Sequence, residues 1–212
     1  MEKQIVIVSG FSGVGKGTLL KKVLQQLPDA ELVRSCTTRT KRNDNDYYTF
    51  LSDEEFGALI SENKFLEYNC YSGKFYGTPV SEVKRILNEG KLPIAEIDPN
   101  GFIQVIESGF FERAKIHSVF IADDADSLIQ KLLGRNTESK NKIISRLYSA
   151  IGESKMIAHY DQILINHDLI KATNELRSFI TTFRRWDEYF DDNGFRNRLQ
   201  IIISELYSNN YV

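Results

Sequence analysis

Gly10-Phe11-Ser12-Gly13-Val14-Gly15-Lys16-Gly17-Thr18 decides how this chain is read. Before it, Ile5-Val6-Ile7-Val8 is short, β-branched and apolar throughout, the pattern of a strand buried on both faces. After it, Leu19, Leu20, Val23, Leu24 and Leu27 form the apolar stripe of a helix that stops at Pro28. A glycine-rich loop between a buried strand and a helix N-terminus is the setting in which a G-x-x-x-x-G-K sequence holds a phosphate. Its glycines reach backbone angles closed to other residues, so successive N–H groups can turn inward. The helix N-terminus adds its own free N–H groups and the positive end of its dipole. Lys16 adds a mobile full charge that can follow a phosphoryl group in transfer. The alternative is a glycine-rich turn with no ligand. Gly17 follows Lys16, and the hydroxyl comes one residue later, at Thr18. That spacing leaves open whether a loop hydroxyl meets a metal ion directly.

With 212 residues the chain can bury a substantial core, most simply as one domain with inserts. Apolar content of 42% and charged content of 26% are ordinary for a globular protein. A net charge of −2 implies no general nucleic-acid surface, so basic residues that matter must be locally clustered. Two cysteines, Cys36 and Cys70, define no disulfide framework. The N-terminal residues run straight into a core strand, with no signal peptide and no apolar run long enough to cross a membrane. A reducing cytoplasm is the expected setting.

Leu32-Val33-Arg34-Ser35-Cys36 reads as a second strand running into Thr37-Thr38-Arg39-Thr40-Lys41-Arg42, a basic, hydroxyl-rich cluster. Arginine forks match phosphate oxygens, so it can be an anion site; by itself it can equally be a solvated loop. Asn43-Asp44-Asn45-Asp46 reads as a turn, and Tyr47 to Leu51 as a strand. Ser52-Asp53-Glu54-Glu55 is a capping box opening a helix whose apolar face is Phe56, Leu59 and Ile60. Residues 65–76 predict a hairpin turning at Gly73, and Thr78-Pro79 predicts the cap of a further helix. Ile94 to Asp98 is a core strand ending in acids, at the end of a parallel strand where ligands gather. Ile116 to Ile121 and Gln162 to Ile165 are further strands, separated by helices that carry Leu128, Ile129, Leu132, Leu133 and Ile143, Ile144, Leu147, Ile151. Leu169, Ala172, Leu176, Phe179, Ile180 and Phe183 mark another helix, and Leu199, Ile202, Ile203 and Leu206 a short last one. Strands alternating with helices predict a parallel sheet covered on both faces.

These spaced features together resemble the guanylate kinase family. The likeness rests on Ser9 to Thr18, Ser35 to Arg42, Tyr48-Thr49-Phe50, Phe65-Leu66-Glu67, Tyr76-Gly77-Thr78 and Glu96-Ile97-Asp98. It continues through Gly134-Arg135-Asn136-Thr137-Glu138, Arg146-Leu147 and Ile165-Asn166-His167-Asp168, covering roughly residues 4–180. The resemblance implies an α/β P-loop kinase fold: a five-stranded parallel sheet, a small mixed insert that binds a nucleoside monophosphate, and a helical lid. On this chain the core would be 1–34 and 81–185, with the lid at about 134–155. The insert would be 35–80 and a C-terminal helical extension 186–212. The reaction implied is transfer of the γ-phosphoryl group of ATP to GMP, with Mg²⁺ on the phosphates near Thr18 and Asp98. ATP would lie against Ser12, Gly13, Val14, Gly15, Lys16, Gly17, Thr18, Arg135 and Asn166. Arg39, Arg42, Tyr48 and Tyr76 would hold the GMP phosphate, and Ser35, Glu67 and Thr78 would read the guanine. Asp98, with Glu96, would sit between the nucleotides. Lys16, Arg42, Arg135 and Arg146 would carry the catalytic charge. The partners implied are ATP and GMP, without nucleic acid or membrane, for a monomer or homodimer.

The sequence also departs from the family pattern. The stretch between Arg42 and Tyr48 is short, Glu96 stands where aspartate is usual, Pro99-Asn100 follows Asp98, and Lys131 holds a position often given to arginine. Two other functions compete: a kinase of the same fold acting on another phosphorylated small molecule, and a non-catalytic module that reads a phosphopeptide. His117, His159 and His167 have no metal-ligand spacing, though His167 follows Asn166 near the expected adenine pocket. Glu67, taken alone, is a solvated strand-face acid. The last helix can pack on the body or on a second subunit.

Overall fold

A computed structural model describes residues 3–41, 47–71, 73–134 and 139–208. In chain order the first elements are β1 (Ile5–Gly10), α1 (Lys16–Leu24), β2 (Ala30–Leu32), β3 (Ser35–Thr37), β4 (Tyr48–Phe50) and α2 (Asp53–Ser61). Then come β5 (Phe65–Tyr71), β6 (Lys74–Pro79), α3 (Val80–Asn88), β7 (Leu92–Glu96) and α4 (Pro99–Glu107). The last are β8 (Ile116–Ala122), α5 (Ala125–Leu133), α6 (Lys140–Ser154), β9 (Gln162–Ile165), α7 (Leu169–Thr182) and α8 (Asp192–Tyr207). The strands form a five-stranded sheet of order β2-β7-β1-β8-β9 and a four-stranded sheet of order β4-β3-β6-β5. In the larger sheet β1 pairs with β7, β2 with β7 and β8 with β9, all parallel. Every residue of β1 is buried, as a central parallel strand covered on both faces requires.

The chain divides into two compact units, one built from the residues up to Val8 with Leu27–His117, the other from Ser9–Gln26 and the chain from Ser118 onward. In the first unit, β2 and β7 run parallel with Ala30 opposite Leu92. The single strand expected over 32–36 is two strands in different sheets. Val33 is buried and donates its N–H to the Ile94 carbonyl at 2.8 Å, which holds the chain to β7. Arg34 then turns out to place its guanidinium over the Tyr47 ring, and β3 starts afresh in the small sheet. An apolar run this short cannot tell one strand from two.

The small sheet is two-sided, with a register irregularity between Phe65 and Glu67. Cys36 opposes Gly77, Thr37 opposes Tyr76, and Glu67 opposes Thr78. Side chains alternate along a strand, so Ser35, Thr37, Tyr48, Glu67, Asn69, Tyr76 and Thr78 share one face. On the other face Phe56 of α2 stacks on Phe65 at 4.4 Å and on Phe75 at 5.4 Å between ring centroids. The capping box is present: the Ser52 hydroxyl accepts from the Glu55 N–H, and Glu55 accepts from the Ser52 N–H. Helix α4 is a helix that the reading of the sequence did not anticipate. The Asp98 carboxylate accepts from Asn100 and Gly101 N–H groups, Pro99 takes the first helical position, and Phe102 and Val105 are buried.

In the second unit α1 buries Leu19, Leu20 and Val23, and packs against α7. Beyond α7 the chain is fastened by side chains. Buried Gln162 both accepts from the Trp186 N–H and donates to the Trp186 carbonyl, and Arg185 pairs with Asp161. Helix α8, longer than the short helix expected, turns Phe195, Leu199, Ile202, Ile203 and Leu206 inward against α5 and α6. The last helix therefore packs on its own chain.

Candidate active site

The second unit carries the phosphate loop. Gly13 and Gly15 have φ of 95° and 99°, the left-handed region that suits glycine. A Cβ on Gly13 would lie 2.4 Å from Leu132 Cδ2 of α5, so close approach demands a glycine as firmly as the angle does. No side chain caps α1, so the helix N-terminus is left to whatever the loop enfolds. Lys16 Nζ donates to the Gly10 and Phe11 carbonyls at 2.8 and 3.2 Å, folded over the loop it belongs to. Arg146 of α6 donates to Ser12 Oγ at 2.7 Å, and Asn166, after β9, donates through Nδ2 to the Val14 carbonyl at 2.8 Å. Thus Ser12, Val14, Lys16, Arg146 and Asn166, separated by up to 154 residues, gather on one loop. Arg135 lies outside the described residues.

A cleft of about 310 Å³ opens beside this loop, lined by Gly13, Val14, Gly15, Thr18, Lys131, Asn166, His167 and Leu169. Lys131 reaches it from α5, bonded to the fully buried Asp123 carboxylate at 2.5 Å and to the Asn166 carbonyl at 2.6 Å. Ser127 donates to the same carboxylate oxygen at 2.6 Å. Asp123 thereby fixes the lysine that replaces the usual arginine, a role no local pattern in the sequence disclosed. His167 lies with Nδ1 3.2 Å from Asp124. The ligand atoms of Asp123, Asp124 and His167 lie within 4.8 Å of one another. Asp123 already satisfies a lysine and a serine there, and Asp124 caps α5 through the Ser127 N–H.

The first unit carries the insert site on the small sheet. Glu67 is 7% exposed, and Thr78 Oγ1 donates to its Oε1 at 2.6 Å. That contact corrects the expected cap: the Thr78 hydroxyl serves Glu67, and α3 starts after Pro79 with no side-chain cap. Burial pushes the Glu67 carboxyl up to about 7; the Thr78 bond opposes this and the nearby Asp98 charge adds to it. Gly101 of α4 is so close that a Cβ there would lie 2.5 Å from Glu67 Oε2. Ser35 and Tyr48 are register partners, Tyr48 and Tyr76 rings meet edge-on at 6.1 Å, and Arg39 lies 5.1 Å over the Tyr48 ring. Arg42, with the turn expected at 43–46, lies outside the described residues. At the end of β7 Glu96 is exposed, whereas Asp98 gives Oδ1 to α4 and Oδ2 to Asn69 at 3.1 Å. Cys36 is buried, and burial pushes its thiol up to about 11, which makes it inert; both described cysteines are free.

A parallel sheet whose central strand passes through a left-handed glycine loop into a lysine-headed helix defines the P-loop kinase class. The guanylate kinase family model matches residues 2–183. A guanylate kinase of Mycoplasmoides gallisepticum is 36% identical over 186 residues, covering 85% of this chain and 93% of that protein. One of Synechococcus sp. is 38% identical over 180 residues, covering 84% and 97%. The crystal structure of guanylate kinase from Anaplasma phagocytophilum matches in fold with a TM-score of 0.64 at 21% identity, over 99% of this chain and 96% of that one. The chain belongs to the guanylate kinase family.

Proposed function

We propose that this chain transfers the γ-phosphoryl group of ATP to GMP, giving ADP and GDP. The observation that carries the reading is the buried Glu67 carboxylate on the insert sheet, in a chain that keeps Lys16 and the left-handed glycines of its phosphate loop. Guanine presents two adjacent donors on its pairing edge, and one carboxylate accepts both. Adenine would set an acceptor against the same carboxylate. A site built on such bonds rejects the wrong base by about 10⁴-fold or more. Thr78, beside Glu67, and Ser35, two strands away on the same face, read the base with it in this proposal. Arg39, Arg42, Tyr48 and Tyr76 take the monophosphate, matching two cations and two hydroxyls to a dianion.

At the loop the N–H groups of residues 12–18 cradle the ATP phosphates. Lys16, Arg135 and Arg146 cancel the charge that spreads over the transferred group, and Asn166 shapes the loop. Phosphoryl transfer needs alignment and charge cancellation more than covalent chemistry, so these groups suffice in kind. Thr18, exposed on the loop, is a hard oxygen donor of the kind that suits Mg²⁺, while both oxygens of Asp98, the other residue expected near the ion, are already engaged within their own unit. When bound, the ion neutralises phosphate charge. The functional division follows the core at 1–34 and 81–185, the GMP insert at 35–80, the lid at about 134–155 and the extension at 186–212. Among the described residues no helix is long and apolar enough to cross a membrane, and the cytoplasm, which supplies both nucleotides, is the setting inferred. The catalyst would be a monomer or homodimer.

The deciding measurement is steady-state transfer from Mg-ATP to GMP, AMP, CMP and UMP in parallel. Strong preference for GMP is expected. Tight ATP binding without turnover on any of them would move the assignment to another phosphorylated substrate. Absent ATP binding would leave a phosphopeptide module.

A further inference from the structure

The family match ends at residue 183, yet the segment after it touches the phosphate loop. Phe11, the second residue of that loop, is fully buried. Its ring stacks on Phe195 of α8 with centroids 4.5 Å apart and planes 11° apart. Phe190 approaches it at 5.8 Å, and Phe120 of β8 meets it edge-on at 5.0 Å. Two of these three rings therefore come from beyond the family match.

The backbone of Phe11 is where the loop is fastened. Its N–H donates to the Ile121 carbonyl at 3.2 Å, and its carbonyl accepts the Val14 N–H at 3.1 Å and Lys16 Nζ at 3.2 Å. Turning this residue would tilt the first loop N–H groups and release the lysine together. Helix α8 also packs on α6, which delivers Arg146 to Ser12. Arg198 of α8 forks onto Asp126 of α5, with bonds of 2.6 and 3.0 Å, and α5 supplies the Leu132 that closes against Gly13.

We propose that the segment from Trp186 to Tyr207 is a built-in brace of the phosphate loop and that Phe195 is its positioning residue. The inference rests on the reading of the loop as the ATP site. Preorganised N–H groups bind and stabilise phosphate charge only while their orientation is held, and a ring stacked on Phe11 limits that orientation.

The test uses the full chain, with Phe195→Ala, Phe195→Leu and Phe190→Ala, and three readouts: ATP affinity, GMP affinity and backbone hydrogen exchange across residues 10–16. Phe195→Ala should weaken ATP roughly tenfold, leave GMP within about twofold and speed exchange of the loop amides, and Phe195→Leu should recover most of the loss. Unchanged ATP affinity and unchanged loop exchange in a folded Phe195→Ala protein would overturn the brace and leave Phe195 as ordinary packing. Equal loss of ATP and GMP affinity would overturn it too. Should Phe195→Ala not fold, Phe190→Ala, whose ring is only half-buried, decides by the same criteria with a smaller shift. If the wild type fails to bind ATP, the reading of the loop is lost, while faster loop exchange in the variant still reports the brace.

Discussion

At the scale of single residues, Glu67 makes the sharpest claim. Its carboxyl has an ordinary value of 4.5 when unfolded and about 7 in the folded protein, raised chiefly by burial. The folded state therefore binds more protons between those values. Its contribution to stability is full below pH 4.5 and is lost as pH rises through 7, on the order of 3 kcal/mol in all. In the role proposed for Glu67 guanine needs the carboxylate, so GMP affinity runs the other way. It should rise by up to about tenfold per pH unit toward pH 7 and then level off. The GMP phosphate titrates in the same range, so the informative quantity is the difference between wild type and Glu67→Gln by calorimetry from pH 5.5 to 8. A wild-type profile parallel to that of the variant would remove Glu67 from base recognition. Glu67→Gln should also weaken GMP far more than ATP. Lys16→Met should cost at least about 10²-fold in turnover and leave the circular dichroism spectrum unchanged, since among the described residues the ammonium bonds only loop carbonyls. Substantial remaining turnover would sink its catalytic role. Lys16 was legible from its spacing alone. The burial of Glu67 was not, because the glycine that crowds it lies on α4, a helix hidden behind Asp98-Pro99-Asn100.

At the scale of elements, α4 turns out to shape the insert site. Gly101 has no special backbone angle to defend; its constraint is space, with Glu67 Oε2 and Ile97 Cγ2 at 2.5 and 2.6 Å from any added Cβ. In an open helix Gly→Ala would stabilise by about 1 kcal/mol. Here Gly101→Ala should displace the carboxylate and raise KM for GMP about tenfold with KM for ATP unchanged. Equal KM values for GMP in the two proteins would mean the carboxylate adapts. The capping box of α2, the hairpin at Gly73 and the stripes of α5, α6 and α7 were all readable, because each follows from local periodicity or a local cap. The division of 32–36 into two strands was not readable, since it depends on which sheet accepts the Val33 N–H. The expectation that Thr78 caps a helix fails for a similar reason: its hydroxyl can serve a helix end or a cross-strand carboxylate, and only the register with Glu67 decides.

At the scale of the whole molecule, the order of motifs along the chain gave the fold and the family, while the contribution of the C-terminal segment became visible only in three dimensions. Phe195 lies outside the apolar stripe read for the last helix, and only the fold brings it onto Phe11. The sheet order has another consequence, set by the direction of protein synthesis. β1 leaves the ribosome before both of its neighbours, β7 and β8, which end at Glu96 and Ala122. This wholly buried strand therefore waits with both edges open until β7 is made, and with one edge open until β8 follows. Such a strand is a template for wrong pairing while it waits. A strand made early is thus enclosed only by strands made later, and a nascent chain of this protein leaves β1 most exposed before β7 emerges.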